Sequence, residues 1–300
     1  MTDIQDPMET GGTLPRRQLG RFLREVREGA GFTLEQAAAL MEWNKSTLSR
    51  LERGLTERIR VREVLALCEA LGLDTEGVAV AKALAEQEPT TSWWHAYADL
   101  IPANFNTFVG LEAGARALIF YQPFIIPGLL QTADYARALD RTYFPLETEA
   151  EIDRRIEVRK QRQSVILRQR RPAEARIVLH ESALRTVVGT PRVTATQLRH
   201  VTDVSTRENV EVRVLPFRAG VPVGMPLTPF VIFHFGRSGR KKVEPTVVFA
   251  ESLVGAMYFE RKAEVSIYRD AFTAIQAASL DARPSRDLIR EIAREHDSGH

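Results

Sequence analysis

The stretch from Thr33 to Gly54, "TLEQAAALMEWNKSTLSRLERG", constrains the fold most, because it holds two helix signals separated by only a few residues. Thr33 and Gln36 form a capping-box pattern, in which the hydroxyl accepts the Gln36 backbone N–H and the glutamine amide reaches back. The helix it opens, "LEQAAALM", is rich in alanine, so another helix can approach it closely. After Glu42 and Trp43, Asn44 stands ready to cap a second helix, which Gly54 stops. At about 100° per residue, Leu48 and Leu51 point inward while Ser46, Ser49, Arg50 and Arg53 point outward. Lys45 lies at the edge of that outer face and Thr47 nearer its flank.

Helical patterns continue on both sides. "RQLGRFLREVREGAG" places Leu19, Phe22, Leu23 and Val26 on one face and ends at Gly29 and Gly31. Downstream, Val61, Val64, Leu65, Cys68 and Leu71 are spaced as a buried stripe, and a fifth helix over roughly 75 to 87 closes the bundle. Two short helices, a tight turn and a polar second helix make a helix-turn-helix. Such a second helix can lie in the DNA major groove, with cationic and hydroxyl side chains at base edges and phosphates and its N-terminal N–H groups toward a phosphate. Periodicity alone also permits a small helical bundle with a solvated charged face.

The charge distribution bears on that choice. Residues 16–62 carry eleven Arg and Lys against six Glu, a surplus of five, while Asp3, Asp6 and Glu9 make the leading segment negative by three. With a net charge of +2, residues 63–300 therefore sum to zero. The positive excess sits in one segment, which suggests a polyanionic partner for that segment alone.

Residues 19–73, "LGRFLREVREGAGFTLEQAAALMEWNKSTLSRLERGLTERIRVREVLALCEALGL", resemble the lambda-repressor type helix-turn-helix of the xenobiotic-response-element (XRE) regulators, down to "STLSRLERG". The resemblance implies DNA binding by Lys45, Ser46, Thr47, Ser49 and Arg50, and a largely buried ion pair joining Arg24 to Glu52. Many relatives carry glutamine, a phosphate-contacting residue, where this chain has Leu34. A side-chain clamp on phosphate is then expected from Arg17, Arg53 or Arg58 instead.

Around this segment the chain divides into a disordered tail over 1–15, the helical domain over 16–88 and a second domain over 89–300. The polar break "EQEPTTS" precedes the second domain. Trp93, Trp94, Tyr97, Phe105, Phe108, Phe120, Tyr121 and Phe124 suggest a packed helical layer. A helix follows Pro127-Gly128, and a long charged one spans about 147–171. "EARIVLH", "VEVRVLPF", "TPFVIFHFG" and "PTVVFAE" have the β-branched look of strands, with helices near 181–188, 194–207 and 261–280. A mixed α+β domain with a sheet of about four strands is expected.

"FVGLEAGA", "FIIPGLLQTADYARAL", "RKQRQSVIL", "HESALRTVVG", "VEVRVLPFRAG" and "RPSRDLI" resemble the C-terminal domain of actinobacterial antitoxin-like regulators. That resemblance implies a small partner protein encoded alongside, and no established chemistry.

Catalytic signals are thin. His180-Glu181 lacks any second histidine at ligand spacing, and Ser182 lacks a nucleophile elbow. Glu181 and Ser182 fit better in the first turn of a helix, so no enzyme and no cofactor are expected. A single cysteine, Cys68, excludes a disulfide framework and a multi-cysteine zinc site. The first fifteen residues lack the apolar run of a signal peptide, and the most apolar stretch, "ALIFYQPFIIPGLL", is broken by prolines and too short to span a membrane, so a cytoplasmic location is expected. Residues 151–171 carry eight basic side chains, Arg154, Arg155, Arg159, Lys160, Arg162, Arg168, Arg170 and Arg171, against Glu151, Asp153 and Glu157. They read as a solvated face, a further DNA-backbone contact or a dock for an acidic partner. The functions left open are a transcriptional regulator paired as a homodimer on operator DNA, a module that sequesters a small protein, and a sensor whose aromatic layer holds a small ligand.

Overall fold

Every third or fourth residue from Leu19 to Val26 is apolar, and this stripe nucleates the first of two compact units, Met1–Gly114 and Ala115–His300. The structure is a computed structural model that describes residues 14–56, 59–86, 103–238, 241–242, 245–252 and 255–298. Most of the tail expected over 1–15, the domain break expected at 88–89, and Trp93, Trp94 and Tyr97 lie outside the described residues.

Five helices follow one another in the first unit: α1 (Leu14–Gly29), α2 (Leu34–Leu40), α3 (Lys45–Glu52), α4 (Val61–Ala70) and α5 (Thr75–Ala85). Their core is Leu19, Leu23, Ala37, Leu48, Leu67 and Cys68, with Phe22, Val26, Leu34 and Trp43 packed around it. The capping box of α2 is formed as the residues suggest, Gln36 N–H bonding Thr33 Oγ1 at 3.2 Å and Thr33 N–H bonding Gln36 Oε1 at 2.9 Å. A further helix, α6 (Ala103–Gly114), belongs to the same unit and touches α1.

Helices α1 to α4 end alike. After α1, α3 and α4 a glycine takes positive φ, and the next N–H reaches back five residues, as in Leu55 N–H to Arg50 O at 2.8 Å. After α2 the same bond runs from Trp43 N–H to Ala38 O at 2.9 Å, but the residue in the left-handed conformation is Glu42, φ 54°. A side chain there costs about 1–3 kcal/mol relative to an unstrained position.

The second unit is built on a mixed sheet of six strands, not about four: β1 (Ala117–Gln122), β2 (Glu174–His180), β3 (Val210–Leu215), β4 (Phe230–His234), β7 (Val247–Ser252) and β8 (Gly255–Phe259). A separate two-residue ribbon pairs β5 (Arg237–Ser238) with β6 (Lys241–Lys242). Strand order is β3-β2-β1-β4-β7-β8, parallel among β1, β2 and β3 and antiparallel from β1 onward through β4. A 3-10 turn (Gly128–Leu130), α7 (Ala133–Tyr143) and α8 (Glu149–Leu167) cross from β1 to β2. The crossover from β2 to β3 is made by α9 (Glu181–Arg185) and α10 (Pro191–Val204). Last come α11 (Lys262–Ala278), packed on β3 and β7, and α12 (Ala282–Ser298), packed on α10 and β3.

Both faces of the central strands are buried. Tyr121, Val178, Phe230, Ile232 and Val248 join Phe272 and Ile275 of α11. Their alternates, Leu118, Phe120, Ile177, Leu179 and Val212, are at most 2% exposed. A strand buried on both faces loses the apolar–polar alternation that marks one from sequence. That is why "ALIFYQ" reads as part of a helical layer although it is β1, and why Phe120 and Tyr121 belong to the sheet.

The basic helix α8 is tied to α7. Arg159 Nη2 meets Asp140 Oδ1 at 2.8 Å, Arg155 Nε meets Glu147 Oε2 at 2.6 Å, and Arg137 of α7 meets Asp153 at 2.6 Å. Arg155 also lies 3.7 Å above the Phe144 ring, and Arg162 is buried against Gly128. Arg155 and Arg159 of the basic set thus help fasten the helical hairpin, and Arg162 packs on the 3-10 turn before it.

Candidate nucleic-acid interface

The turn between α2 and α3 holds four residues, 41–44, and α3 lies with one side in the core and the other in solvent. Leu48 is fully buried and Leu51 is 6% exposed. On the outer side Lys45, Ser46, Thr47 and Arg53 are exposed, with Ser49 and Arg50 half-buried. Asn44 takes the extended N-cap conformation, φ −70° and ψ 147°, yet its side chain makes no capping bond. The Thr47 N–H is taken by the Asn44 backbone carbonyl at 2.9 Å instead, and the helix begins at exposed residues with its positive dipole end there.

Three side chains carry the charge of this face. Lys45 pairs with Glu35 in the first turn of α2, and that hydrogen bond holds the Glu35 carboxyl below its ordinary value. Both groups are well exposed, so the pair is weak and opens readily to a stronger anion. Arg50 Nη2 rests 3.4 Å from Leu55 O, near the end of the helix. Arg53 stands at the C-cap. Arg17, half-buried on the first turns of α1, adjoins the same end, since a Cβ built on Gly54 would lie 2.8 Å from its Cα. Arg58 is outside the described residues. Leu34, the residue in the place of a phosphate-contacting glutamine, packs against the core.

The expected Arg24–Glu52 contact is present, but Arg27 is the nearer partner of Glu52. Glu52 is 4% exposed and is held by Arg27, with Nε to Oε1 at 2.6 Å and Nη2 to Oε2 at 2.9 Å. Arg27 Nη1 also donates to Phe32 O at 2.9 Å. Arg24 keeps a longer contact, Nε to Glu52 Oε2 at 3.6 Å, with 43% of its side chain exposed, so it is the outer and weaker partner. The hydrogen bond with Glu52 raises the Arg27 pKa further, against the opposing effect of burial. The missed signal was spacing: Leu19, Leu23 and Arg27 are four residues apart, which puts Arg27 on the buried stripe and Arg24 one step off it.

A close helix crossing completes the support. A Cβ on Gly20 would lie 2.5 Å from the carbonyl oxygens of Leu51 and Glu52, so α1 meets the last turn of α3 at backbone contact.

This architecture is that of a DNA-binding transcriptional regulator: residues 18–81 match the family model of a helix-turn-helix domain. Residues 105–291 match that of a domain of unknown function, DUF5753, over more than half of the chain, and the chain belongs to that family. Among solved structures, the crystal structure of the clp gene regulator ClgR from C. glutamicum is 33% identical over 24% of this chain and 91% of that chain, with a TM-score of 0.22. No curated protein matches the chain. Among the described residues no helix is long and apolar enough to cross a membrane.

Proposed function

We propose that the chain is a sequence-specific regulator of the XRE type that reads an operator in the major groove through α3. The observation that carries this reading is the exposed run Lys45-Ser46-Thr47 at a helix N-terminus without a side-chain cap, above two buried leucines. Ser49 and Arg50 extend the reading face, Arg50 by leaving its weak contact with Leu55 O. Arg17, Arg53 and Arg58 hold phosphate on either side.

One helix-turn-helix spans few base pairs, so the second unit serves to pair two copies on half-sites about 34 Å apart. Alternatively, it captures a small partner encoded nearby, as its resemblance to actinobacterial antitoxin-like regulators suggests. The two are compatible, partner capture altering operator affinity. Neither involves catalysis, and both place the protein in the cytoplasm with its DNA.

Selection of bound sequences from random duplexes supplies the operator. Arg50→Ala then lowers affinity for it by about 1–3 kcal/mol if Arg50 reads a base. Binding indistinguishable from wild type across several salt concentrations would remove α3 as the reading helix. A monodisperse monomer on the operator in light scattering removes the pairing.

A further inference from the structure

The sheet topology of the second unit forces a cleft. Successive crossovers carry the chain from β1 to β2 to β3, away in one direction, and β4 then lies on the opposite side of β1. The segment 216–229 must therefore pass back over the carboxyl ends of β2 and β1 to reach Phe230. Open sheets with parallel strands bind ligands where strand order reverses in this way, outside the strand ends. Gly220 and Gly224, φ 63° and 76°, bend the crossing segment. Val223 and Leu227 pin it to the core that Phe230 and Ile275 share. Beneath it is a cleft of about 230 Å³.

The lining is chemically uneven. Leu215, Val223, Leu227 and Ile275 make apolar walls and floor, Tyr121 adds a ring face with one phenolic hydroxyl, and His180 and Ser182 supply the other polar side-chain atoms. Ser182 Oγ is committed on two sides, 2.7 Å from His180 Nδ1 and 2.5 Å from Pro123 O. Nδ1 is thereby occupied, and Nε2 is the ring nitrogen without a hydrogen-bond partner among the described residues. The Phe217 ring stands edge-on to the imidazole at 5.2 Å. Burial lowers the His180 pKa, so the ring is neutral at physiological pH. Among the described residues no charged side chain lines the cleft. At its mouth Phe124, Val221 and Met225 are about 60% exposed and Phe217 54%, an uncommon gathering of large apolar groups in solvent.

We propose that this cleft binds a small, uncharged, largely apolar molecule whose one hydroxyl group pairs with His180. A hydroxyl both donates and accepts, so it suits either tautomer of the imidazole. The volume is near the low end of ligand sites, which run from about 300 to 1,000 Å³, and corresponds to a single substituted ring or a short branched chain. A protein partner is the poorer fit: four side chains around a concavity fall short of the ~800 Å² that each side of a stable interface buries. The proposal concerns the second unit alone and stands or falls independently of operator reading.

The test uses the full chain labelled with ¹³C at the methionine methyls. Met225 is the reporter in the cleft, assigned through Met225→Leu, and Met257, on the far edge strand β8, is the control. Titration with 4-ethylphenol shifts Met225 saturably and leaves Met257 in place. 4-Ethylbenzoate, of similar shape but charged, binds at least roughly tenfold more weakly, because its carboxylate must be desolvated. Ethylbenzene, without the hydroxyl, also binds more weakly than the phenol. Val221→Trp, a change at an exposed position, fills the mouth and abolishes the Met225 shift. No saturable shift with 4-ethylphenol, or a shift that survives Val221→Trp, overturns the proposal. Equal affinity for the phenol and the benzoate overturns its assignment to uncharged ligands.

Discussion

Arg27 and Arg24 stand one helical turn apart and differ sharply in what each does for Glu52. Arg27→Ala strands a buried carboxylate and is expected to cost about 3–5 kcal/mol in urea unfolding of the first unit. Arg24→Ala, removing an exposed partner at 3.6 Å, is expected to cost under about 1 kcal/mol. The reverse order would restore Arg24 as the principal partner. Glu42 offers a gain by the same method: Glu42→Gly is expected to stabilise the unit by about 1 kcal/mol, since the left-handed strain disappears. At this scale the sequence was informative about which side of α3 packs inward, because Leu48 and Leu51, set at helical spacing, are buried. It pointed to the outer contact of Glu52 with Arg24 and not to the closer one with Arg27, which the four-residue rhythm carries inward. The capping box and the glycine helix ends were legible because they depend on a few neighbouring residues. Glu42 was not, since an acidic residue carries no local sign of positive φ.

Among elements, α3 depends on α1 more than on its own eight residues. Gly20→Ala places a methyl group into the Leu51 and Glu52 carbonyls and is expected to destabilise the unit by about 1–3 kcal/mol in a thermal melt, with an exposed control such as Ala30→Ser near wild type. An unchanged melt would mean that the two helices can part at no cost. The missed elements have separate causes. β1 lies between buried neighbours on both faces, so its apolar run has no period to betray it. β8 is only five residues long and begins with glycine, a weak strand signal. α12 carries Pro284 in its first turn, where proline is tolerated although it breaks a helix interior. By contrast β2, β3, β4 and β7 are rich in Val, Ile and Phe and were found within a few residues of their ends.

For the molecule as a whole, two half-buried histidines of the second unit, His180 and His200, set an acid response. Burial lowers the pKa of both His180 and His200 from the ordinary 6.5, against the opposing pull of Glu181 and Asp203. Below about pH 6.5 the unfolded chain takes up protons that the folded unit resists, so stability is full above that value and declines as the pH falls toward the lowered folded values. Urea midpoints of the second unit between pH 7.5 and 5 measure it. A flat profile in the His180→Asn, His200→Asn double variant assigns the slope to these rings, and an unaltered slope takes it from them. The charge division visible in the sequence, a cationic first segment and a neutral remainder, agrees with where the helix-turn-helix lies. What the second unit does was not legible, because a cleft made by a strand-order reversal draws on residues as far apart as Tyr121 and Ile275. The seating of α3 has one last consequence. With the carbonyls of its final turn pressed against a residue that has no side chain, the helix has no room to rock or slide, so under the proposed operator reading its match to a given base sequence is hard-wired. Any signal received elsewhere in the chain must act by changing how many such reading heads reach the duplex, and at what distance from each other, because it cannot retune the head itself.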